Sequence, residues 1–183
     1  MLQRLIVVTL AGLLLAAPAS RAADTMDPQL REKARRAVDA GLNYLRSQQA
    51  EDGSVARSVG ITSLSLRAFL ESHRGYNESD GPFITRQVDF LLSKVNADGS
   101  ISESLQNRSY NTAVALNALT ATKNPKYEPV VAGGRKFLTG HQIDEGEGYK
   151  AEHRYYGGVG YGGDERPDMS NLYLALEGLK AAS

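Results

Sequence analysis

The pairs Tyr44-Leu45, Phe90-Leu91 and Phe137-Leu138 stand 46 and 47 residues apart. A fixed period of this length is the signature of stacked supersecondary units, so it constrains the fold before any single residue does. Each pair closes an amphipathic stretch. In the first, Leu30, Ala34, Ala37, Val38, Gly41, Leu42 and Leu45 recur at spacings of three and four, while Arg31, Glu32, Arg35, Arg36 and Asp39 fall on the opposite side. That pattern is a helix with one buried face. Pro28 after Asp27 suits its first turn. "EDGS" (Glu51 to Ser54) and "ADGS" (Ala97 to Ser100) follow the first two pairs, and Asp-Gly there breaks the helix with a turn.

A second helix is expected after each turn, over about 58–72, 109–122 and 169–182, with first helices over about 28–47, 83–95 and 129–141. The second helices align as Leu66-Arg67-Ala68-Phe69, Leu116-Asn117-Ala118-Leu119 and Leu176-Glu177-Gly178-Leu179. A small residue in the third slot predicts close helix approach. Three helical hairpins, about 28–72, 83–122 and 129–182, therefore predict an all-α array in which each unit covers its apolar face only against a neighbour. Leu45, Leu66, Leu91, Leu116, Leu138 and Leu176 are the expected core.

The chain has 183 residues, no cysteine, and 21 basic against 21 acidic side chains. Met1 to Arg4 is a short basic start and Leu5 to Ala17 a continuous apolar run followed by small residues. Residues 1–22 thus read as a secretory signal peptide, with cleavage patterns ending at Ala19 or Ala22, and residues 23–183 as one domain. The expected location is periplasmic or secreted, where a fold without disulfides must be held by packing alone. Balanced charge gives no footprint for nucleic acid. Zero cysteine removes thiolate ligands and thiol nucleophiles. His141 and His153 lie near Asp144 in sequence but match no zinc spacing, so neither metal nor cofactor is expected.

Through "AGLNYLRSQQAEDGSV" (Ala40 to Val55) the chain resembles the Gln-Trp repeat of squalene-hopene cyclases and related prenyltransferase-type proteins: an aromatic-aliphatic pair, then Gln, Gly and Trp. Tyr44-Leu45, Gln49 and Gly53 fit, with Val55 in the Trp slot; Phe90-Leu91 and Gly99 fit, with Val95 for Gln and Ile101 for Trp; Phe137-Leu138, Gln142 and Gly146 fit, with Gly148 in the Trp slot. The chain has no Trp at all. "YYGGVGYGGDERPDMSNLYLALEGLKAA" (Tyr155 to Ala182) resembles a segment of secreted bacterial members of that superfamily. The resemblance implies an α/α toroid. A closed ring there usually takes about six hairpins, so three imply half a ring, with a homo-oligomer or a missing second half as the expected partner.

The same resemblance directs attention to carboxyls, since its cyclases protonate an alkene with an acid of raised pKa in a dry pocket. Asp164, Glu165 and Asp168 are the catalytic candidates, with Asp144, Glu145 and Glu147 as a second group; none forms the Asp-x-Asp-Asp pattern. Asp168 is equally placed to cap the last helix, with Ser170 and Asn171 beside it, and "DEGEG" suits a solvated loop. Tyr149, Tyr155, Tyr156, Tyr161 and Tyr173, with Asn171, are the candidate substrate-binding residues. Tyrosine rings stabilise a cation but their hydroxyls suit sugar or peptide equally well. The glycines of 157–163 allow close backbone approach to a ligand, or a tight chain crossing. The preferred expectation is an exported binding or scaffold protein for a hydrophobic small molecule or polymer. The alternative is a terpene-cyclase-like or lyase-like enzyme.

Overall fold

A computed structural model describes residues 26–162 and 166–183. Six α-helices follow in order: α1 (Pro28–Ser47), α2 (Val59–Glu71), α3 (Pro82–Leu92), α4 (Arg108–Ala121), α5 (Glu128–Thr139) and α6 (Met169–Ala181). Short 3-10 turns at Glu78–Asp80, Pro125–Tyr127 and Glu145–Glu147 sit in the connections. No strand occurs among the described residues, and the architecture is an all-α partial toroid built of helical hairpins.

The helix starts follow from their caps. The Asp27 carboxylate accepts the backbone N–H groups of Gln29 and Leu30 at 2.9 and 3.0 Å, and Pro28 opens α1. Ser58 caps α2 by accepting from Ile61 N at 3.3 Å. Asp168 does the same for α6.

Helices α2, α4 and α6 form an inner layer with α4 in the middle, while α3 lies on α2, and α5 on α4 and α6. Every residue from Asn111 to Leu119 is buried. A helix surrounded on all sides needs apolar or small residues all round rather than a stripe, and "NTAVALNAL" supplies them. Contact between α4 and α6 is close because Gly178 has no side chain: a Cβ there would stand 2.8 Å from the Ala113 carbonyl oxygen. Gly134 of α5 likewise admits Leu116, whose Cδ2 would stand 2.8 Å from an added Cβ.

The first two intra-hairpin turns are built alike. Ala50 N donates to Ser54 O and Asn96 N to Ser100 O, both at 2.8 Å. Gly53 and Gly99 both take φ +88°, where glycine is favoured. Asp52 and Asp98 accept the backbone N–H and hydroxyl of Ser54 and Ser100. Thr62 Oγ1 accepts from Val55 N and Thr112 Oγ1 from Ile101 N, each at 2.9 Å, tying the turn to the next inner helix. Val55 and Ile101, in the Trp slots, are 5% and 0% exposed.

The third turn corrects the sequence assignment. Gln49 Nε2 donates to Gly53 O at 3.2 Å, and the matching bond of Gln142 goes to Gly157 O at 3.1 Å, with Gly157 at φ +79°. Two residues on, Val159 is buried as Val55 is. The third set is therefore Gln142, Gly157 and Val159, and neither Gly146 nor Gly148 belongs to it. An inserted loop over 143–156 separates them, closed by Ile143 N to Gly158 O (2.9 Å) and Gly157 N to Ile143 O (2.8 Å). Pattern matching at a constant spacing skips such an insertion.

Leu66, Leu91, Leu116 and Leu138 are buried as expected. Leu45 is only half-buried. Leu176 is 58% exposed, against expectation. Leu116 is covered by α5 through Gly134; no described helix stands in the corresponding place beyond α6. At the other edge α1 packs mainly on α2, with the Arg46 guanidinium also 4.2 Å from the Phe83 ring centre of α3; Leu42 is its single buried residue, while Leu30, Val38 and Tyr44 stay exposed.

Candidate functional site

The inserted loop and the start of α6 form a small cleft of about 300 Å³ lined by Tyr155, Tyr156, Gly157, Gly158, Asp168 and Met169, among others. Backbone geometry makes it: Pro167 lies so close to Gly158 that a Cβ on that glycine would stand 2.6 Å from the proline ring. The Arg154 guanidinium sits 4.5 Å from the Tyr155 ring centre and the His153 ring meets Tyr155 edge-on at 5.4 Å. Tyr156 donates its hydroxyl to the Glu145 carboxylate at 2.8 Å, which raises the Tyr156 pKa and fixes the ring.

Of the sequence candidates, Tyr155, Tyr156 and Asp168 come together in this cleft. Asp164 and Glu165 lie outside the described residues. Asn171 is buried, donating Nδ2 to Asp168 Oδ2 at 2.6 Å, and its own Oδ1 has no hydrogen-bond partner among the described residues. Tyr149 stacks with His153 at 4.7 Å within the loop. Tyr161 sits beside Tyr110 at the start of α4, centroids 6.2 Å apart, and Tyr173 is 64% exposed on the outer face of α6. These last three do not line the cleft. Asp144 accepts from Gly146 N at 2.7 Å and Glu147 accepts from Asp144 N at 3.2 Å, a local capping arrangement at the loop's 3-10 turn.

Asp168 is the carboxylate that lines the cleft. Its carboxylate accepts from Asn171 N at 2.9 Å and from the Asn171 side chain, and these bonds hold its pKa below the ordinary aspartate value despite partial burial. The proton needed for alkene protonation is thereby disfavoured. Asp39, Asp52 and Asp98 are also held low, by Arg74, Ser54 and Ser100 respectively. No cluster of three or more His, Cys, Asp or Glu able to hold a metal occurs among the described residues.

A second polar group, missed in sequence, lies on the inner layer. Arg67 of α2 reaches Glu177 of α6 (Nη2 to Oε1, 3.0 Å) and Glu71 (Nε to Oε1, 2.8 Å), and Asn117 of α4 donates to Glu177 at 3.5 Å. Arg67, Asn117 and Glu177 occupy the same slot of the three aligned inner-helix segments. That shared slot was the available signal, because equivalent positions on adjacent parallel helices stand side by side.

No protein-family model matches the chain, and no solved structure matches it significantly. Lanosterol synthase of Homo sapiens is 31% identical to it over 122 residues, which cover 57% of this chain and 17% of that enzyme. The chain therefore spans about a sixth of the length of the relative it matches. That likeness supports kinship with the terpene cyclase superfamily at a distant level.

Proposed function

We propose that the protein is exported and serves as a binding or scaffold module, with the Tyr155–Tyr156 cleft as its ligand contact, and that it does not catalyse cyclisation. The observation that carries this reading is Asp168: its carboxylate is engaged as the N-cap of α6, and its bonds to Asn171 favour the ionised form. The basic-then-apolar start of the chain supports export. The ligand class is a hydrophobic small molecule or a polymer segment, gripped by tyrosine faces with Arg154 and Asp168 as polar anchors.

The similarity to lanosterol synthase favours a second reading, a terpene-cyclase-like activity. Incubation of the purified protein with squalene, followed by mass spectrometry, separates the two. The expected outcome is unchanged squalene, with Asp168→Ala lowering thermal stability by about 1 kcal/mol through the lost cap. Cyclised product from the parent protein, abolished in Asp168→Asn without loss of stability, overturns the proposal.

A further inference from the structure

The two exposed edges of the partial ring carry, by register, the positions that meet inside the chain. Within the chain, α4 fills the angle between α5 and α6 through three contacts: Leu116 against Gly134, Ala113 against Gly178, and the Gly99 turn against the Gly133 carbonyl. At the amino-terminal edge, the corresponding angle between α1 and α2 is an open groove of about 680 Å³, lined by Val38, Gly41, Tyr44, Leu64 and Ala68. By the register of the aromatic-leucine pairs, Gly41 stands where Gly134 does, and Ala40 where Gly133 does. By the aligned inner-helix segments, Ala68 stands where Gly178 does. Among the described residues nothing lies within 4 Å of a Cβ added to Gly41.

The carboxyl-terminal edge presents the reciprocal set. Leu176 stands where Leu116 does, and Tyr173 where Ala113 does; they are 58% and 64% exposed. Gly157 stands where Gly99 does, and among the described residues a Cβ added to it would meet Gln142 Nε2 at 3.8 Å and nothing nearer. We propose that a second copy of this chain docks here head to tail, α6 of one copy entering the α1–α2 groove of the other. Leu176 then covers Gly41 of the second copy and the Gly157 turn faces its Ala40 carbonyl, while Tyr173 and Ala68, both larger than the Ala113 and Gly178 they correspond to, hold the two inner helices further apart than α4 and α6. Charge agrees with that register. Thr120 of α4 and Ala181 of α6 line one cavity, and the equivalent pair between copies is Lys180 and Glu71. Such an interface joins unlike faces, so two copies close only if the rotation permits and longer chains form otherwise. It shares Gly157 with the proposed ligand cleft but uses none of Tyr155, Tyr156 and Asp168.

The absence of native cysteine makes a direct test possible. Leu176→Cys and Gly41→Cys variants are oxidised singly and mixed, with Leu176→Cys mixed with Leu105→Cys as the control pair. Cysteine is smaller than the leucine it replaces, which leaves room for the added Cβ at position 41. The expected result is a disulfide-linked dimer from the 176 and 41 mixture in large excess over the control. The parent should sediment as a dimer or larger, and Leu176→Asp should sediment as a monomer with unchanged helical circular dichroism. Three results overturn the proposal. One is a monomeric parent with no enrichment over the control. Another is cross-linking of Leu176→Cys to itself, which marks a two-fold contact between like faces. The third is a Leu176→Cys thiol shielded from reagents in a monomer, which marks an edge covered by the chain's own residues.

Discussion

Arg67 on α2 and Glu177 on α6 meet across the face of α4, Nη2 to Oε1 at 3.0 Å, with Asn117 of α4 alongside. The bond reaches over one helix to join its two neighbours, so it reports the curvature of the inner layer as well as its own energy. Both side chains are between a quarter and a third exposed. Their mutual attraction raises the Arg67 pKa, with Glu177 the leading cause and Glu71 the second.

Glu177→Gln should destabilise the fold by about 1 kcal/mol, and a double-mutant cycle with Arg67→Gln should give a coupling of about 0.5–1 kcal/mol. Urea denaturation at low and high salt is the measurement. The coupling should shrink with salt, since the pair is only partly shielded from solvent.

Gly53→Ala and Gly99→Ala should each cost more than about 2 kcal/mol by thermal or urea unfolding. Both sites combine a left-handed φ of +88° with a facing carbonyl: an added Cβ would stand 2.1 Å from Arg86 O and 2.5 Å from Gly133 O. Gly75→Ala, also at positive φ (+58°) but facing open space, should cost only about 1 kcal/mol.

Thr62→Val and Thr112→Val should each destabilise by about 1–3 kcal/mol. Each removes the acceptor of a buried backbone N–H, that of Val55 or Ile101, while leaving side-chain volume nearly unchanged. The effect should show in the urea midpoint without a change in m-value. Leu116→Ala, by contrast, leaves a void under α5 and should cost about 2–5 kcal/mol, whereas Leu105→Ala, on a side chain 69% exposed, should stay within about 0.5 kcal/mol.

Stability should fall in acid. Asp52, Asp98 and Asp168 all have pKa values below the unfolded value, held there first by Ser54, Ser100 and Asn171. A depressed folded pKa gives stability that is fully present above the unfolded pKa of about 3.9 and is lost as pH drops through the folded values. Melting temperature should therefore be flat from neutrality to about pH 5 and decline below about pH 4. Asp52→Asn and Asp98→Asn should flatten that decline.

The amino-acid order alone determined the six helices, their starts and the two "DGS" turns, while α3 and α5 end at Leu92 and Thr139, short of the expected 95 and 141. Periodic apolar positions, caps and Asp-Gly signals are local, so they act through neighbours in the chain. It also marked Leu66, Leu91, Leu116 and Leu138 as core, because within those helices a fixed spacing places them on the covered side. Tertiary structure alone decided the rest. Whether Leu176 is buried depends on a helix supplied by another part of space, and the spacing that identifies its face says nothing about what covers it. The pairing of Gln142 with Gly157 across an inserted loop, and the meeting of Arg67 with Glu177, 110 residues apart, are likewise long-range. Asp168 was readable either as an acid or as a cap; the structure shows the cap, with its carboxylate accepting from Asn171 N and Nδ2, a contact that the order of residues alone did not fix.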